Sequence, residues 1–330
     1  MNFWNNKKIL ITGGAGLIGS ALAIDLIHRG SVVTIVDDFS RGKEEHFAPV
    51  AEDVKVIRCD LRNYNRCLEV IRDVDIVVHM ASRVGGIKVY LELPFSLMSD
   101  NVVMDTNVLR ATIANGIKRL FYASSAHIYP ISMQNTLEGQ TITEEDAFPA
   151  NPLLSYGWAK LVAEKQIESA CIEDKNFHSA IARYIGIYGP NQDIGLQTGS
   201  VIPVFSHRAI QYPKLAFSIW GDGEETRSYC FIDDAVACTR MMIEEMEESQ
   251  VVGPYNVGTE DKIKIKEIAQ KIVAISQKDI EIEFEKDKKA KIMSQNCNCQ
   301  KVYKEIGWKA STSFDNGLKI VYSDVERRLK

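Results

Sequence analysis

The residues best suited to chemistry in this chain are Tyr156 and Lys160, which are four positions apart in the segment SYGWAKLVAEK. Residues at this spacing lie on one face of a helix, so we expect their side chains to be neighbours. Oxidising a secondary alcohol requires a base for the hydroxyl proton, and a free tyrosine, with a pKa of about 10, is a poor base at neutral pH. A lysine ammonium group one turn away, together with the positive ring of an oxidised nicotinamide, would stabilise the phenolate. The spacing alone is also common on ordinary helix surfaces, so the pair predicts alcohol oxidation only in combination with Ser124 and Ser125 and with the glycine turn near the N-terminus.

Ser125 stands directly after the apolar run Arg119–Ser124, which predicts a strand. Open parallel sheets bind ligands at the carboxyl ends of their strands. The Ser125 hydroxyl could therefore donate to the reacting oxygen and hold it near Tyr156. The alternative is that Ser125 is the N-cap of a helix. Ser125, Tyr156 and Lys160 form the candidate catalytic set.

A glycine turn near the N-terminus is the candidate cofactor site. The segment KKILITGGAGLIGS predicts a strand, a tight turn and the start of a helix. We expect Gly13 to adopt backbone angles that other residues avoid, Gly16 to let a pyrophosphate approach the main chain, and Gly19 to let helix and strand pack closely. The first N–H groups of the helix, at Leu17 and Ile18, would then bind the phosphates.

Asp37 indicates which dinucleotide is bound. It ends the second predicted strand, about 18 residues beyond Gly19, where a carboxylate can accept hydrogen bonds from both adenine-ribose hydroxyls and repels a 2′-phosphate. This favours NAD over NADP, although Arg41 stands close enough to bind such a phosphate. Asp60 and Leu61 follow the third predicted strand and are placed to reach the adenine, unless Asp60 is instead a helix N-cap.

The elements that must position these residues alternate between apolar runs and amphipathic stretches. Predicted strands are Lys8–Thr12, Val32–Asp37, Val54–Cys59, Ile76–His79, Arg119–Ser124 and His178–Tyr184. Predicted helices are about Gly16–Arg29, Tyr64–Arg72, Ser99–Asn115 and Ser155–Ile172. Strands that are apolar throughout suit a parallel sheet covered on both faces, and repeated β-α-β order gives right-handed crossovers. We predict an α/β fold with a Rossmann-type doubly wound parallel sheet.

The pattern changes after about residue 189, where segments rich in glycine, proline and aromatic residues interrupt the alternation. The later predicted elements are a helix at Phe231–Glu244, a helix at Lys264–Ile275, a strand near Ile280–Phe284 and a helix near Asn316–Arg328. The first of these indicates a return to the first domain, and the others a smaller α+β unit. We assign residues 1–189 and about 228–248 to a cofactor-binding domain, and residues 190–227 and 249–330 to a substrate-binding domain.

Composition argues against several classes of protein. The net charge of -5 over 330 residues argues against a general nucleic-acid binder, which normally has a basic face. No stretch approaches about 20 uninterrupted apolar residues and no signal-peptide core precedes the first strand, so we expect no membrane contact and a cytoplasmic protein. The seven scattered cysteines fit reduced thiols. Cys297 and Cys299 alone lack the further ligands of a zinc site, and no metal is expected.

Several segments together resemble the extended short-chain dehydrogenase/reductase family, the NAD-dependent epimerases and dehydratases. The resemblance covers nearly the whole chain and is carried by TGGAGLIG, Asp37, ASSAHIYP, SYGWAK, RSYCFIDD and EIGW. It implies an NAD cofactor and a catalytic role for Ser125, Tyr156 and Lys160. It also implies that Ala81 and Asn101 lie near the cofactor.

The same resemblance implies a nucleotide-sugar substrate and a homodimer. By that resemblance the sugar side includes Gly85, Gly86 and Val201, and Arg227 contacts the nucleotide diphosphate. A guanidinium fork suits phosphate oxygens; the alternative is a surface ion pair with Glu224 or Glu225. Relatives often dimerise through the helices corresponding to Ser99–Asn115 and Ser155–Ile172, which pair into a four-helix bundle.

Within the family the chain looks most like the GDP-mannose 3,5-epimerases, which implies a GDP-linked sugar, while VGGI also resembles the GDP-fucose synthases. The 3,5-epimerases place a cysteine and a lysine or histidine beside the sugar, where this chain has His127 and Ser200. The 4,6-dehydratases place an Asp-Glu pair where this chain has Ala126 and His127. Gly186 replaces a phosphate-binding asparagine of many relatives, and MSQNCNC lacks the arginines of the epimerases. His127 is left as an acid/base residue, a hydrogen-bonding wall of the sugar pocket or a buried structural histidine.

The residues for hydride transfer are intact, whereas the additional acid/base groups are altered. We therefore predict NAD-dependent oxidation at carbon 4 of a GDP-hexose or GDP-heptose, a reaction that would fit bacterial GDP-heptose 4-dehydrogenases of capsule pathways. The 4-keto sugar is either released or reduced again on the opposite face, as in a 4-epimerase; 3,5-epimerisation and 4,6-dehydration are further alternatives. A non-catalytic NAD-binding scaffold is another class, but such proteins usually lose the tyrosine or the lysine.

Overall fold

A computed structural model describes residues 2–85, 87–287 and 292–330. Its strands are β1 Lys8–Thr12, β2 Val32–Asp37, β3 Lys55–Arg58, β4 Ile76–His79, β5 Arg119–Ser125, β6 His178–Tyr184, β7 Ile187–Tyr188, β8 Phe217–Trp220, β9 Thr226–Arg227, β10 Cys230–Phe231, β11 Val251–Val257, β12 Ile263–Lys264, β13 Ile282–Glu285 and β14 Ser294–Gln295. Its α-helices are α1 Leu17–His28, α2 Tyr64–Val70, α3 Ile87–Glu92, α4 Pro94–Ala114, α5 Ser155–Glu173, α6 Val201–Gln211, α7 Ile232–Glu245, α8 Ile265–Ser276, α9 Gln300–Ile306 and α10 Phe314–Leu329.

In the part of the chain that the structure describes, seven parallel strands form the main sheet in the order β3-β2-β1-β4-β5-β6-β11. The order reverses direction between β1 and β4, so the loops that follow these two strands border the crevice where open α/β sheets bind ligands. This is the predicted doubly wound Rossmann-type sheet, and the prediction of the fold class is confirmed.

Side chains that alternate along the strands fill two separate cores, one on each face of the sheet. In β1, Ile9 and Ile11 belong to one core and Leu10 to the other, as a side-chain period of two requires. The first core packs against α1 and α7, and the second against α2, α4 and α5. Both faces are therefore covered, which explains why the strands are apolar throughout.

The later elements build a smaller assembly beside the sheet. The short strands pair as β7 with β10, as β12-β9-β14 and as β8 with β13. Helix α6 packs on α8 and α10. Helix α7 packs on the main sheet, as the sequence indicates for Phe231–Glu244.

The boundary predicted at residue 249 needs correction, because β11 pairs with β6 at the edge of the main sheet. Gly253 and Pro254 concealed this strand, since both residues usually interrupt strands. An edge position tolerates them, and the register shifts between Val252 and Tyr255. The division into a cofactor-binding and a substrate-binding domain otherwise stays a prediction.

Three helices lie where the sequence analysis assigned none: α3, α6 and α9. In α6, Pro203 is the third residue, and the first turn of a helix does not need its N–H groups. Helix α4 begins at Pro94 rather than near Ser99, with proline in the favoured first position.

All seven cysteines are buried and unpaired with one another. Among the described residues, no three His, Cys, Asp or Glu side chains are grouped so that they could hold a metal ion. None of the helices in residues 2–85, 87–287 and 292–330 combines the length and apolar character needed to cross a membrane.

Candidate active site

The structure brings Ser125, Tyr156 and Lys160 together at the carboxyl edge of the sheet. Helix α5 packs against β5, so the face that carries Tyr156 and Lys160 lies over the end of that strand. The hydroxyls of Ser125 and Ser82 lie close enough to the Tyr156 hydroxyl to lower its pKa. Ser125 therefore lies where an alcohol oxygen held near Tyr156 would need a partner.

Tyr156 is buried, and burial raises the pKa of its phenol to about 12, because a low-dielectric site disfavours the phenolate. The nearby Ser82 hydroxyl acts in the opposite direction, the charge of Asp105 raises the pKa further, and Ser125 lowers it. A base at this position consequently depends on positive charge close to the ring.

Lys160 is the cation that supplies this charge. Only 1% of its surface is exposed. Its Nζ donates to the carbonyl of Ala123 at 2.8 Å and lies 4.6 Å from the ring centre of Tyr122 and 5.8 Å from that of Tyr156. An ammonium group has three donors, so two remain for other acceptors, such as the hydroxyls of a ribose.

The glycine turn has the shape that a dinucleotide requires. Gly13 has a φ of 65°, and a Cβ there would lie 2.6 Å from the backbone of Ala81; a Cβ on Gly19 would lie 2.4 Å from the Gly13 carbonyl. Gly16 is the N-cap of α1 and offers no side-chain acceptor. The N–H groups of Leu17 and Ile18, in the first turn, can therefore donate hydrogen bonds to phosphate oxygens.

Asp37 is tied to this turn. Its two carboxylate oxygens accept from the backbone N–H groups of Ala15, at 3.0 Å, and Phe39, at 2.9 Å. Each oxygen keeps capacity for a ribose hydroxyl. Arg41 donates to the carbonyl of Val84 at 2.8 Å and lies 3.5 Å from Asp193. Because its guanidinium is engaged there, the geometry favours NAD over a cofactor with a 2′-phosphate.

The predicted adenine contacts, Asp60 and Leu61, stay predictions. The Asp60 carboxylate, about half exposed, forms an ion pair with Arg62 at 2.8 Å, and this pairing lowers the pKa of Asp60. The Leu61 side chain lies in the second core, so only its main chain is placed to meet a ligand.

Asn101 supports the loop that follows β4. Its Oδ1 accepts from the Ser82 hydroxyl and the Arg83 N–H, both at 2.9 Å, and its Nδ2 donates to the carbonyls of Arg83 and Leu97. These four bonds use the donors and acceptors of the amide. Asn101 therefore positions Ser82, and the direct contact with the cofactor that the resemblance implied is a prediction that this geometry does not favour. Ala81, in the same loop, donates to Thr12 Oγ1 at 3.3 Å.

Ser82 and Tyr90 are site residues that the sequence analysis did not single out. Ser82 follows β4 at the same edge as Ser125, a position that could have identified it. The Tyr90 ring lies 5.5 Å from that of Tyr156 and is stacked 5.8 Å from that of His127. Burial raises the pKa of the Tyr90 hydroxyl, and the nearby backbone of Gly85 lowers it. Tyr90 carries no sequence signal, because it lies on a short helix that no pattern predicts. Gly86, assigned to the sugar side, lies outside the described residues.

His127 forms one wall of the site. Its Nδ1 lies 3.0 Å from the Ser125 hydroxyl, and its ring meets the edge of the Tyr156 ring with 5.8 Å between centres. Burial, and then the charge of Arg227, lowers the pKa of His127 to about 4. The imidazole is neutral near pH 7, which favours a wall over a proton donor among the three alternatives.

Arg227 lies close enough to influence His127. Its guanidinium donates to the carbonyls of Thr226, at 2.7 Å, and Ile292, at 2.9 Å. Glu224 instead pairs with Lys264, at 2.8 Å, and with Lys266. In the described part of the chain Arg227 forms no ion pair, so the alternative of a pair with Glu224 or Glu225 is not supported.

Ser200, at the start of α6, stands where the 3,5-epimerases place a lysine or histidine beside the sugar. Its hydroxyl is already hydrogen-bonded. Ser200 is the N-cap of α6, and Gln192 donates to its Oγ at 3.1 Å. Val201 is the first, partly buried residue of that helix. No proton carrier stands at this position.

The amino-acid sequence is similar to those of known nucleotide-sugar enzymes. The sequence profile of the NAD dependent epimerase/dehydratase family matches residues 9–258. A GDP-mannose 3,5-epimerase of Arabidopsis thaliana is 30% identical over 99% of this chain and 85% of its own length. A UDP-N-acetyl-alpha-D-glucosaminuronate decarboxylase of Bacillus cytotoxicus is 31% identical over 85% of this chain and 84% of its own.

Solved structures share the fold. A UDP-glucose 4-epimerase of Thermotoga maritima, solved with UDP-glucose, superimposes with a TM-score of 0.86 at 23% identity, covering 98% of this chain and all of the other. The UDP-glucose 4-epimerase of Thermus thermophilus, solved with NAD, gives a TM-score of 0.82 at 24% identity, covering 96% and 98%. At these identities the likeness concerns the fold alone.

Proposed function

Because the chain belongs to the NAD-dependent epimerase/dehydratase family and is an enzyme whose cofactor is NAD, we propose that it oxidises carbon 4 of a GDP-linked hexose or heptose. The product is a 4-keto sugar nucleotide for capsule or surface-polysaccharide synthesis. The observation that carries this proposal is the buried set at the carboxyl edge of the sheet: Lys160 Nζ lies 5.8 Å from the ring centre of Tyr156 and binds the carbonyl of Ala123 on β5, the strand that ends at Ser125.

Each residue of the set has a distinct part in the reaction. Ser125 holds the sugar hydroxyl, Tyr156 accepts its proton, and Lys160 stabilises the phenolate and binds the adjacent ribose. NAD supplies the hydride acceptor and a positive ring. Burial strengthens these charge interactions, because little water screens them.

The sugar side lacks the groups that other reactions of the family need. Double epimerisation requires two proton carriers, but Ser200 is bonded to Gln192 and the pKa of His127 is about 4. Elimination of water from carbon 6 requires carboxyl groups where this chain has Ala126 and His127. Oxidation without these steps uses only the intact set.

Support for a GDP-linked substrate comes from relatives and from Arg227. The Arabidopsis thaliana relative is named for GDP-mannose, and it spans almost the whole chain. Arg227 carries a charge that no carboxylate in the described ion pairs neutralises, and its planar fork suits a diphosphate.

Epimerisation is the second candidate, since several relatives and solved structures are named epimerases. A 4-epimerase needs no residue beyond the candidate catalytic set. It requires only that the 4-keto sugar can rotate in the site, so that carbon 4 is reduced on its other face. A 3,5-epimerase would need His127 to transfer protons in spite of its low pKa.

We also propose that the enzyme is a homodimer paired through α4 and α5. A groove of about 650 Å³ runs along these helices and is lined by side chains that include Leu109, Ile113, Phe148, Trp158 and Val162. Four of these are substantially exposed: Ile113, Phe148, Trp158 and Val162. None of the groove residues belongs to the candidate catalytic set, so a second copy could cover them without closing the site.

Mass spectrometry after incubation with NAD in D₂O tests the function. The substrates are GDP-mannose, a GDP-heptose and UDP-glucose. Loss of two mass units with formation of NADH supports oxidation. An isomer that carries deuterium at carbons 3 and 5 indicates a 3,5-epimerase, an unlabelled 4-isomer indicates a 4-epimerase, and loss of water indicates a dehydratase. Oxidation of UDP-glucose alone would overturn the GDP assignment.

A further inference from the structure

A buried carboxylate stands behind the candidate catalytic pair. Asp105 lies on α4, and 3% of its surface is exposed. One oxygen accepts from the Tyr122 hydroxyl at 2.7 Å, and the other lies 2.9 Å from Nε2 of His79. The Nδ1 of His79 lies 2.6 Å from Thr12 Oγ1. The chain of contacts thus runs from the end of β1 to the interior of α4.

One arrangement of protons satisfies every member of this chain. The Ala81 N–H donates to Thr12 Oγ1, the Thr12 hydroxyl donates to Nδ1 of His79, and Nε2–H of His79 donates to Asp105. In this arrangement each ring nitrogen of His79 and the Thr12 hydroxyl has a partner, and Asp105 accepts two hydrogen bonds as a carboxylate.

Lys160 is the cation that faces this charge. Its Nζ lies over the ring of Tyr122, and the hydroxyl of that ring is bonded to Asp105. The other carboxylate near Lys160 is Glu164, which binds Arg183 through both oxygens, at 3.1 and 2.7 Å. The charge of Glu164 is thus matched. Asp105 accepts from His79 and from Tyr122, and in the described part of the chain no lysine or arginine forms an ion pair with it.

Burial and charge act on these groups in opposite directions. Burial lowers the pKa of Lys160, while Asp105 and then Glu164 raise it. For Asp105, burial acts to raise the pKa, but Lys160, His79 and Tyr122 together hold it below its usual value. Burial also raises the pKa of Tyr156 to about 12, and Asp105 adds to that effect. A buried lysine without a counter-charge would lose its proton.

We propose that Asp105 is a positioning residue whose buried charge holds Lys160 in its ammonium form. When the Tyr156–Lys160 pair has released one proton, the active form has a phenolate and an ammonium group. The alternative form, a neutral phenol and a neutral amine, has no base of the required strength. Asp105 favours the active form through Lys160, and His79 and Thr12 tie it to the cofactor turn. This inference rests on the proposed function through the assignment of Tyr156 as the base.

Asp105→Asn removes the charge and keeps an amide that fits between His79 and Tyr122. Without this charge, the proton that the Tyr156–Lys160 pair releases comes mainly from Lys160, so less of the Tyr156 phenolate forms. We therefore expect the plateau kcat to fall about tenfold or more. The KM for the sugar nucleotide should stay within about threefold. The midpoint of the pH–kcat profile should move to lower pH, since a negative charge beside two titrating groups has gone.

Tyr122→Phe is the matched control, because it removes one hydrogen bond to the same carboxylate and leaves the charge. Its pH midpoint should match that of the unaltered enzyme. A fall in kcat for Asp105→Asn with an unmoved midpoint would reduce Asp105 to structural support and overturn the proposal. In a Lys160→Met background, Asp105→Asn should change kcat no further; an additional loss there would also overturn it.

A measurement on the unaltered protein does not depend on how the variant folds. In ¹³Cε-lysine NMR, with Lys160→Arg to assign the signal, Lys160 should keep its ammonium shift at neutral pH. Titration of that signal below pH 7 would overturn the proposal. The signal reports the charge of Lys160 even if no sugar nucleotide is oxidised, so failure here is distinguishable from failure of the proposed function.

Discussion

The two walls of the site differ in how their polar groups are satisfied. The cofactor wall, formed by Thr12, His79, Asp105, Tyr122 and Lys160, is buried and connected by hydrogen bonds and a cation–π contact. The sugar wall is formed by Tyr90, His127 and Arg227. It is held by ring contacts and by bonds to main-chain carbonyls.

Unsatisfied atoms occur beside the sugar wall. Within the described residues, Glu225 Oε2, Ser228 Oγ and Asn296 Oδ1 are buried without hydrogen-bond partners. They lie in or next to β9 and β14, the strands around Arg227. An unpartnered buried polar group costs about 1–3 kcal/mol. The comparison teaches that the buried carboxylate, imidazole and hydroxyls of the cofactor wall have their partners within the protein, whereas polar atoms beside the sugar wall have capacity left for a ligand.

Removing Tyr156, the candidate base beside Lys160 of the cofactor wall, should have the largest effect. We expect Tyr156→Phe to lower kcat about 10²- to 10⁴-fold, the range that a general base contributes, measured as NADH formation at 340 nm. NAD binding, followed by tryptophan fluorescence, should persist because the glycine turn is unaltered. Activity within about tenfold of the unaltered enzyme would break the assignment of Tyr156.

On the sugar wall, Arg227→Ala should raise the KM for the sugar nucleotide about 10- to 100-fold, since a charge-assisted contact with phosphate is lost. The kcat should change less, because binding is weakened in the ground state and the transition state alike. Steady-state kinetics checks this. Arg66→Ala is the control, an exposed arginine on α2 paired with Glu69, and it should leave KM unchanged.

His127→Asn tests whether His127 only lines the sugar pocket or also transfers a proton. The pKa of His127 is about 4, so the side chain is neutral throughout pH 5.5–8 in the unaltered enzyme. We expect kcat to fall less than about tenfold and the shape of the pH profile in that range to persist. Loss of a limb of the profile, with a larger fall in kcat, would favour an acid/base role.

The smallest effect on chemistry is expected outside both walls. Trp158→Glu places a charge in the groove between α4 and α5, and we expect the sedimenting species to shift from dimer to monomer while kcat changes less than about threefold. Trp220→Glu, on β8, is the matched control for an exposed tryptophan and should leave the dimer intact. A monomeric unaltered enzyme would contradict the dimer.

The sequence singled out Lys160 of the cofactor wall, together with the glycine turn and Tyr156 beside it, and His127 and Arg227 of the sugar wall. The glycine turn and the spacing of Tyr156 and Lys160 are patterns within single segments, and the structure places both as predicted. Tyr90 lies on a helix of six residues, too short for a periodic pattern. Asp105 and His79 carried a weak signal, as isolated polar residues in apolar elements. Nothing in their spacing indicated that they meet.

The sequence by itself determined the alternation of strands and helices, the glycine turn, the acidic end of β2 and the helix face that carries Tyr156 and Lys160, because each depends on residues only a few positions apart. Tertiary structure alone decided that Asp105 of α4 meets His79 of β4 and Tyr122 of β5 beneath Lys160. It also decided that Asn101 supports Ser82, and that β11 completes the sheet. These contacts follow from strand order and helix packing, which no local spacing specifies.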